Sequence, residues 1–117
     1  LTNLELGWVA GLFEGEGSII LTKVKNRKDS YRVMCVVSST DKDVIESFTK
    51  IVNFGKMNGP YKPSDSGRKL RYTWDVQNQK ECLKFLKLIL PQLHSRRSVK
   101  ALEVINFLEE RLAKHNG

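Results

Sequence analysis

The sequence predicts a single α+β domain, residues 1–117, with elements in the order α-β-β-α-β-β-α and one further helix at the end. Three observations predict it. Four segments carry apolar residues at helical spacing. Between them lie two pairs of β-branched or aromatic segments, each pair divided by a turn-rich stretch. A chain of 117 residues with 40% hydrophobic content can bury one modest core and shows no sign of disorder.

Thr2 and Glu5 form a T-x-x-E capping box, so the first helix starts at Asn3. Leu4, Trp8, Leu12 and Val9 would give it a face for the core. Ser18 to Lys25 reads as a strand, Asn26 to Asp29 as a turn and Ser30 to Ser39 as a second strand, together a hairpin. Thr40 or Asp41 caps a second helix, Lys42 to Val52, with Val44, Ile45, Phe48, Ile51 and Val52 at helical spacing. Lys56 to Lys62 is a short third strand and Pro63 to Gly67 a loop. Arg68 to Val76 is a fourth, two-faced strand: Leu70, Tyr72, Trp74 and Val76 on one side, Arg71, Thr73 and Asp75 on the other. Gln79 to Leu90 is a third helix that Pro91 stops. His94 to Val99 reads as a basic connection to a last helix ending near Ala113.

The net charge of +7 and pI near 9.6 suit a polyanionic partner, nucleic acid first. No apolar run approaches membrane-spanning length, and the N-terminus does not resemble a secretory signal. The first residue is not Met, as expected of a trimmed chain or a domain cut from a longer one. Cys35 and Cys82 read as two buried, reduced thiols of an intracellular protein rather than a disulfide. Two cysteines alone cannot make a zinc site. His94 and His115 have no ligand spacing, and nothing supports a Ser/His/Asp triad.

Residues 4–18, LELGWVAGLFEGEGS, break local rules. Gly7, Gly11 and Gly15 line one helix face, although each glycine costs about 1 kcal/mol against alanine. Such a stripe suits close approach of another backbone. A helix apolar on one side and small on the other needs two partners, its own domain and a second copy. Glu14 and Glu16 sit where the helix dipole disfavours acids. A plain alternative is an αL C-cap at Gly15 or Gly17 with solvated carboxylates.

Val9 to Gly17, VAGLFEGEG, resembles the LAGLIDADG motif of homing endonucleases and their maturase relatives. Ala10, Gly11, Leu12 and Gly17 match its letters, and Glu14 and Glu16 replace its two aspartates. The resemblance implies the αββαββα LAGLIDADG fold, a curved four-stranded antiparallel sheet with helices on one face, lying as a saddle in the DNA major groove. It implies site-specific hydrolysis of double-stranded DNA at a long, near-palindromic target, in the service of intron or intein mobility. Glu16 matches the metal-binding acid, with the Gly15 carbonyl as a second oxygen ligand for Mg²⁺. Mn²⁺ or Ca²⁺ can take the same site, Ca²⁺ without cleavage. Gly7, Ala10, Gly11 and Glu14 fall on the implied dimer seam, Glu14 with a capping or supporting role. The family's lysine near the scissile phosphate maps to Arg96 or Arg97, a departure because arginine cannot act as a base. A polar residue after the second strand maps to Ser39 or Thr40.

The DNA-facing set would comprise Lys23, Lys25, Asn26, Arg27, Lys28, Arg32, Met34 and Ser38 on the first hairpin. On the second it would comprise Lys56, Lys62, Arg68, Lys69, Arg71, Thr73 and Asp75. Strand geometry counted from Glu16 adds Ile20, Thr22 and Val24, a parity opposite to Lys23 and Lys25. Either a bulge flips the first strand midway, or those lysines reach phosphates from the edge; the sequence leaves both open.

One motif per chain makes half a site, so the main expectation is a homodimer on a symmetric target. The alternatives are a non-cleaving binder, RNA-maturase-like or a DNA-binding regulator, and one half of a two-motif endonuclease. A glycosidase acid/base pair is disfavoured, because alternate residues at a helix end do not face each other across a substrate. The expected location is intracellular, in cytoplasm, nucleoid or organelle matrix, without further resolution.

Overall fold

The computed structural model describes residues 1–62 and 69–116, with side chains through 114. The elements are α1 (Asn3–Glu16), β1 (Gly17–Lys23), β2 (Tyr31–Ser39), α2 (Lys42–Val52), β3 (Lys56–Tyr61), β4 (Arg71–Val76), α3 (Gln79–Ile89) and α4 (Ser95–Asn116). A 3-10 turn, Leu90–Gln92, joins α3 to α4. The four strands form one antiparallel sheet in the order β1-β2-β4-β3, so the two hairpins meet through their second strands. This is the expected α+β architecture. The expected loop 63–67 and Arg68 lie outside the described residues.

Strand alternation places the helices on one face. Ile19, Val33, Cys35, Val37, Trp74 and Val76 are buried, while their neighbours along each strand are open or half-open. Against them pack Phe13 of α1, Phe48 of α2 and Phe85 of α3, with Trp74 4.9 Å from Phe48 and 4.8 Å from Phe85. The Trp74 indole N–H donates to the Phe54 carbonyl at 2.9 Å, so burying the ring strands no polar group. Ala101, Val104, Ile105 and Leu108 of α4 complete the core. Cys35 and Cys82 are free and buried, as expected. The neighbouring Cys82 thiol, together with burial, raises the Cys35 thiol, which leaves it unreactive.

The capping box at Thr2 and Glu5 forms as expected, with both reciprocal bonds present. The phase of α1 differs from expectation. Leu4 is 87% exposed and Trp8 40%, whereas Val9, Ala10 and Phe13 are buried and Leu6 and Leu12 pack partly against the core. The helix is apolar nearly all round, so periodicity could not select the inward stripe. The inward stripe is 6, 9, 10, 13 and 17; the outward one is 4, 7, 8, 11 and 15. Nor is there an αL cap. Gly17 is extended, φ −85° and ψ 164°, and α1 passes directly into β1. A Cβ at Gly17 would meet the Phe13 ring and lie 2.6 Å from the Phe13 carbonyl oxygen, so that position requires glycine for space.

Two further differences concern ends. β4 begins at Arg71, and Leu70, expected in the core, is 44% exposed. The segment expected as a basic connection belongs mostly to α4, which starts at Ser95 and sets Arg96, Arg97 and Lys100 along its first turns.

Candidate functional site

Glu16 is the last residue of α1 and is exposed at the rim of the sheet. It makes no hydrogen bond or ion pair with the described residues. Behind it, Gly7, Gly11 and Gly15 leave open space: a Cβ on any of them would meet nothing within 4 Å. Leu4 and Trp8 share that stripe, and with Asn3, Glu5, Gly7 and Ile51 they line an apolar concavity. The outward face of α1 is therefore a largely open apolar strip, with Trp8 leaning on Phe48 of α2, and it ends in the exposed Glu16 carboxylate. Among the described residues no three His, Cys, Asp or Glu side chains converge. One chain supplies Glu16 and the Gly15 carbonyl, hard oxygen donors of the kind that suit Mg²⁺, which takes few carboxylates and keeps several waters.

Two residues expected on the seam are elsewhere. Ala10 is 1% exposed and packs in the domain's own core, because it lies on the inward stripe with Val9 and Phe13. Glu14 turns towards the start of α4. Its Oε1 accepts the His94 backbone N–H at 2.8 Å and lies 3.2 Å from His94 Nδ1, while its Oε2 is buried without a partner. Glu14 thus ties α1 to α4. His94, which sequence spacing left without a role, is brought to the acids only by this contact across 80 residues.

Glu14 and His94 share a cleft of about 580 Å³ with Ser18, Ser95, Arg96, Arg97 and Lys100. Arg96 is exposed; Arg97 and Lys100 are half-buried. The cleft sets three cations beside the end of α1, an arrangement suited to a phosphate group. Ser39 ends β2 and Thr40 follows it at the same end of the sheet, since Gly17 pairs with Val37. Asp41 is the N-cap of α2, as expected, without a side-chain capping bond, and its own N–H donates to the Ser39 hydroxyl at 3.0 Å.

The sheet face away from the helices is continuous and largely polar. The β1–β2 register runs without a bulge from Gly17↔Val37 to Lys23↔Tyr31. That decides the parity: Ile20 and Thr22 face outward opposite Met34 and Arg32, Val24 continues that parity just past the strand, and Lys23 lies on the helix side at the strand's exposed end. Lys25, Asn26, Arg27 and Lys28 are exposed in the loop, around a concavity of about 570 Å³ that also includes Lys23 and Val24. On the second hairpin, Asp75 opposes Lys56, and Thr73 lies between Ser38 and Asn58. Asn58 donates to Asp75 at 2.7 Å, Gln77 donates to it at 3.2 Å, and Arg71 donates to Ser38 at 3.2 Å. Asn58 and Gln77 were missed, although Asn58 alternates with Lys56 and strand parity alone could have found it. Lys62 and Lys69 are exposed beyond the strand ends. Arg68 lies outside the described residues. No helix among the described residues is long and apolar enough to cross a membrane.

No family model and no curated protein matches this sequence. Solved structures do match. The homing endonuclease I-CvuI, in complex with the I-CreI target, superposes with a TM-score of 0.72 at 22% identity, covering 91% of this chain and 66% of that one. The archaeal intron-encoded homing endonuclease I-Vdi141I, complexed with DNA, gives 0.73 at 15%, covering 95% and 70%. The LAGLIDADG homing endonuclease I-GzeII, in complex with its DNA target, gives 0.74 at 16%, covering 93% and 36%. The chain thus has the fold of LAGLIDADG homing endonucleases, and spans just under two thirds of the length of I-CvuI and about a third of I-GzeII.

Proposed function

We propose that the chain is a divalent-metal-dependent, site-specific DNA endonuclease that acts as a homodimer. The observation that carries this reading is the outward stripe of α1: apolar, open at three glycines, and ending in the exposed Glu16 beside a basic cleft. Packing two such stripes together would bring two Glu16 carboxylates close, a juxtaposition of like charge that calls for a cation. Glu16 and the Gly15 carbonyl would hold it. A divalent ion there would lower the pKa of bound water and offset the charge building on the phosphate.

The chain's own residues do the rest. Arg96 and Arg97 hold the phosphate electrostatically and, always charged, take no proton. His94 stands beside them in the same cleft, and Glu14 orients it. Ser39 or Thr40 supplies a polar group at the end of β2. The outer sheet face provides phosphate contacts through Arg32, Lys56 and Arg71. Thr22, Ser38, Asn58, Thr73 and Asp75 supply donors and acceptors for base edges. Solved neighbours of the same fold are DNA complexes, which supports duplex DNA as the partner.

Selection of cleaved sites from a random duplex library with Mg²⁺ tests the reading. A symmetric consensus supports the homodimer. An asymmetric one favours the second reading, half of a longer two-motif protein, which the 36% coverage of I-GzeII motivates. Binding without any cleavage would leave a non-cleaving relative.

A further inference from the structure

The β1–β2 loop, residues 24–30, is held from behind by α4. The Arg111 guanidinium donates through Nη2 to the Asp29 carbonyl. It also lies over two rings, 5.1 Å from the Tyr31 centroid and 5.8 Å from that of Phe107. Those rings meet edge to face at 4.8 Å. Tyr31 opens β2 opposite Lys23, and Phe107 sits on α4 against the core. One side chain therefore joins the loop backbone, the end of the hairpin ladder and a helix anchored in the core.

Among the described residues, the loop has little else to hold it. Asn26 and Asp29 adopt positive φ, 67° and 59°. The Val24 N–H donates to the Ser30 carbonyl at 2.8 Å and closes the base, and the Arg27 N–H reaches the Val24 carbonyl only at 3.4 Å. Lys25, Arg27 and Lys28 are exposed and repel one another. Arginine is the residue suited to the task, because its planar fork can stack on rings and donate at the same time.

We propose that Arg111 is a positioning residue for nucleic-acid binding: by clamping Asp29 to the Tyr31–Phe107 pair, it fixes the height at which Lys25, Arg27 and Lys28 meet duplex phosphates at the end of the sheet. This rests on the DNA-binding reading above. The clamp acts on the helix side and leaves the basic concavity free.

Two measurements test it. In the free protein, amide hydrogen exchange over residues 25–30 is compared among wild type, Arg111→Lys and Arg111→Met. Both variants should exchange there roughly three- to tenfold faster, since the stacked, forked contact is lost in each. Unchanged exchange in Arg111→Met overturns the clamp, whether or not the protein binds DNA. Duplex affinity is then measured across salt concentrations. Both variants should bind about three- to tenfold more weakly, with the salt slope reduced by roughly one to two, and phosphate protection should be lost only at the outer ends of the footprint. If Arg111→Lys keeps the wild-type slope while Arg111→Met does not, the charge acts directly and positioning is wrong. If a Lys25→Ala, Arg27→Ala, Lys28→Ala variant binds duplex as wild type does, the loop carries no DNA contact and the proposal falls, leaving the exchange result intact.

Discussion

The two long faces of α1 are made of similar material and have different partners. Inward, Leu6, Val9, Ala10 and Phe13 close against the sheet and α3, with Phe13 5.1 Å from Phe85. Outward, the exposed Leu4 and the half-exposed Trp8, whose ring leans on Phe48 of α2 at 6.3 Å, share a stripe with Gly7, Gly11 and Gly15, where an added Cβ would meet nothing within 4 Å. The Phe13 ring fills the first face, and the missing side chains of three glycines open the second. The difference teaches that apolar content alone does not identify a core. The inward stripe is selected by shape, the outward one by its lack of it, and the exposed Glu16 carboxylate stands at the end of the open side.

The comparison can be broken from either side. Phe13→Ala should cost the fold about 3–5 kcal/mol in urea unfolding, because the ring is fully buried; a loss under about 1 kcal/mol would mean the inward stripe is not core. Glu16→Gln should lower Mg²⁺-dependent cleavage roughly a hundredfold or more while duplex binding persists, and normal cutting would sink its assignment. Gly11→Leu should leave a monomer on sizing that is as stable as the wild-type monomer or about 1 kcal/mol more so, since the space is open and helix propensity rises. A variant that stays dimeric would move the seam elsewhere. The smallest effect lies where the helix starts. The Thr2 backbone N–H donates to Glu5 and holds its carboxyl below the ordinary 4.5. That contribution is complete above the ordinary value and fades as pH falls through the lowered one. Glu5→Gln should therefore slightly flatten the acid limb of thermal stability.

Where one signal stood alone, the sequence was enough. α2 runs from Lys42 to Val52 as its apolar spacing requires, and Trp74 and Val76 are buried opposite Arg71, Thr73 and Asp75 as strand parity requires. Where signals competed, it was not. The run His94–Val99 offers no apolar period, so the start of α4 was hidden in a string of charges. Ala10 carried the letters of the motif but sits on the inward stripe. Glu14 resembled a seam residue until its bond to His94 placed it in the cleft.

By itself the sequence determined the kind and order of the elements, the basic balance and the acid-ended glycine helix, because periodicity, turn chemistry and charge are local properties. Tertiary structure decided the phase of α1, the bulge-free parity of β1, and the meeting of Glu14 with His94 and of Arg111 with Asp29. Each depends on which of several near-equivalent local options packs against elements distant in the chain. Spacing along a helix or strand carries no record of that choice; it is made by the shape of the neighbour.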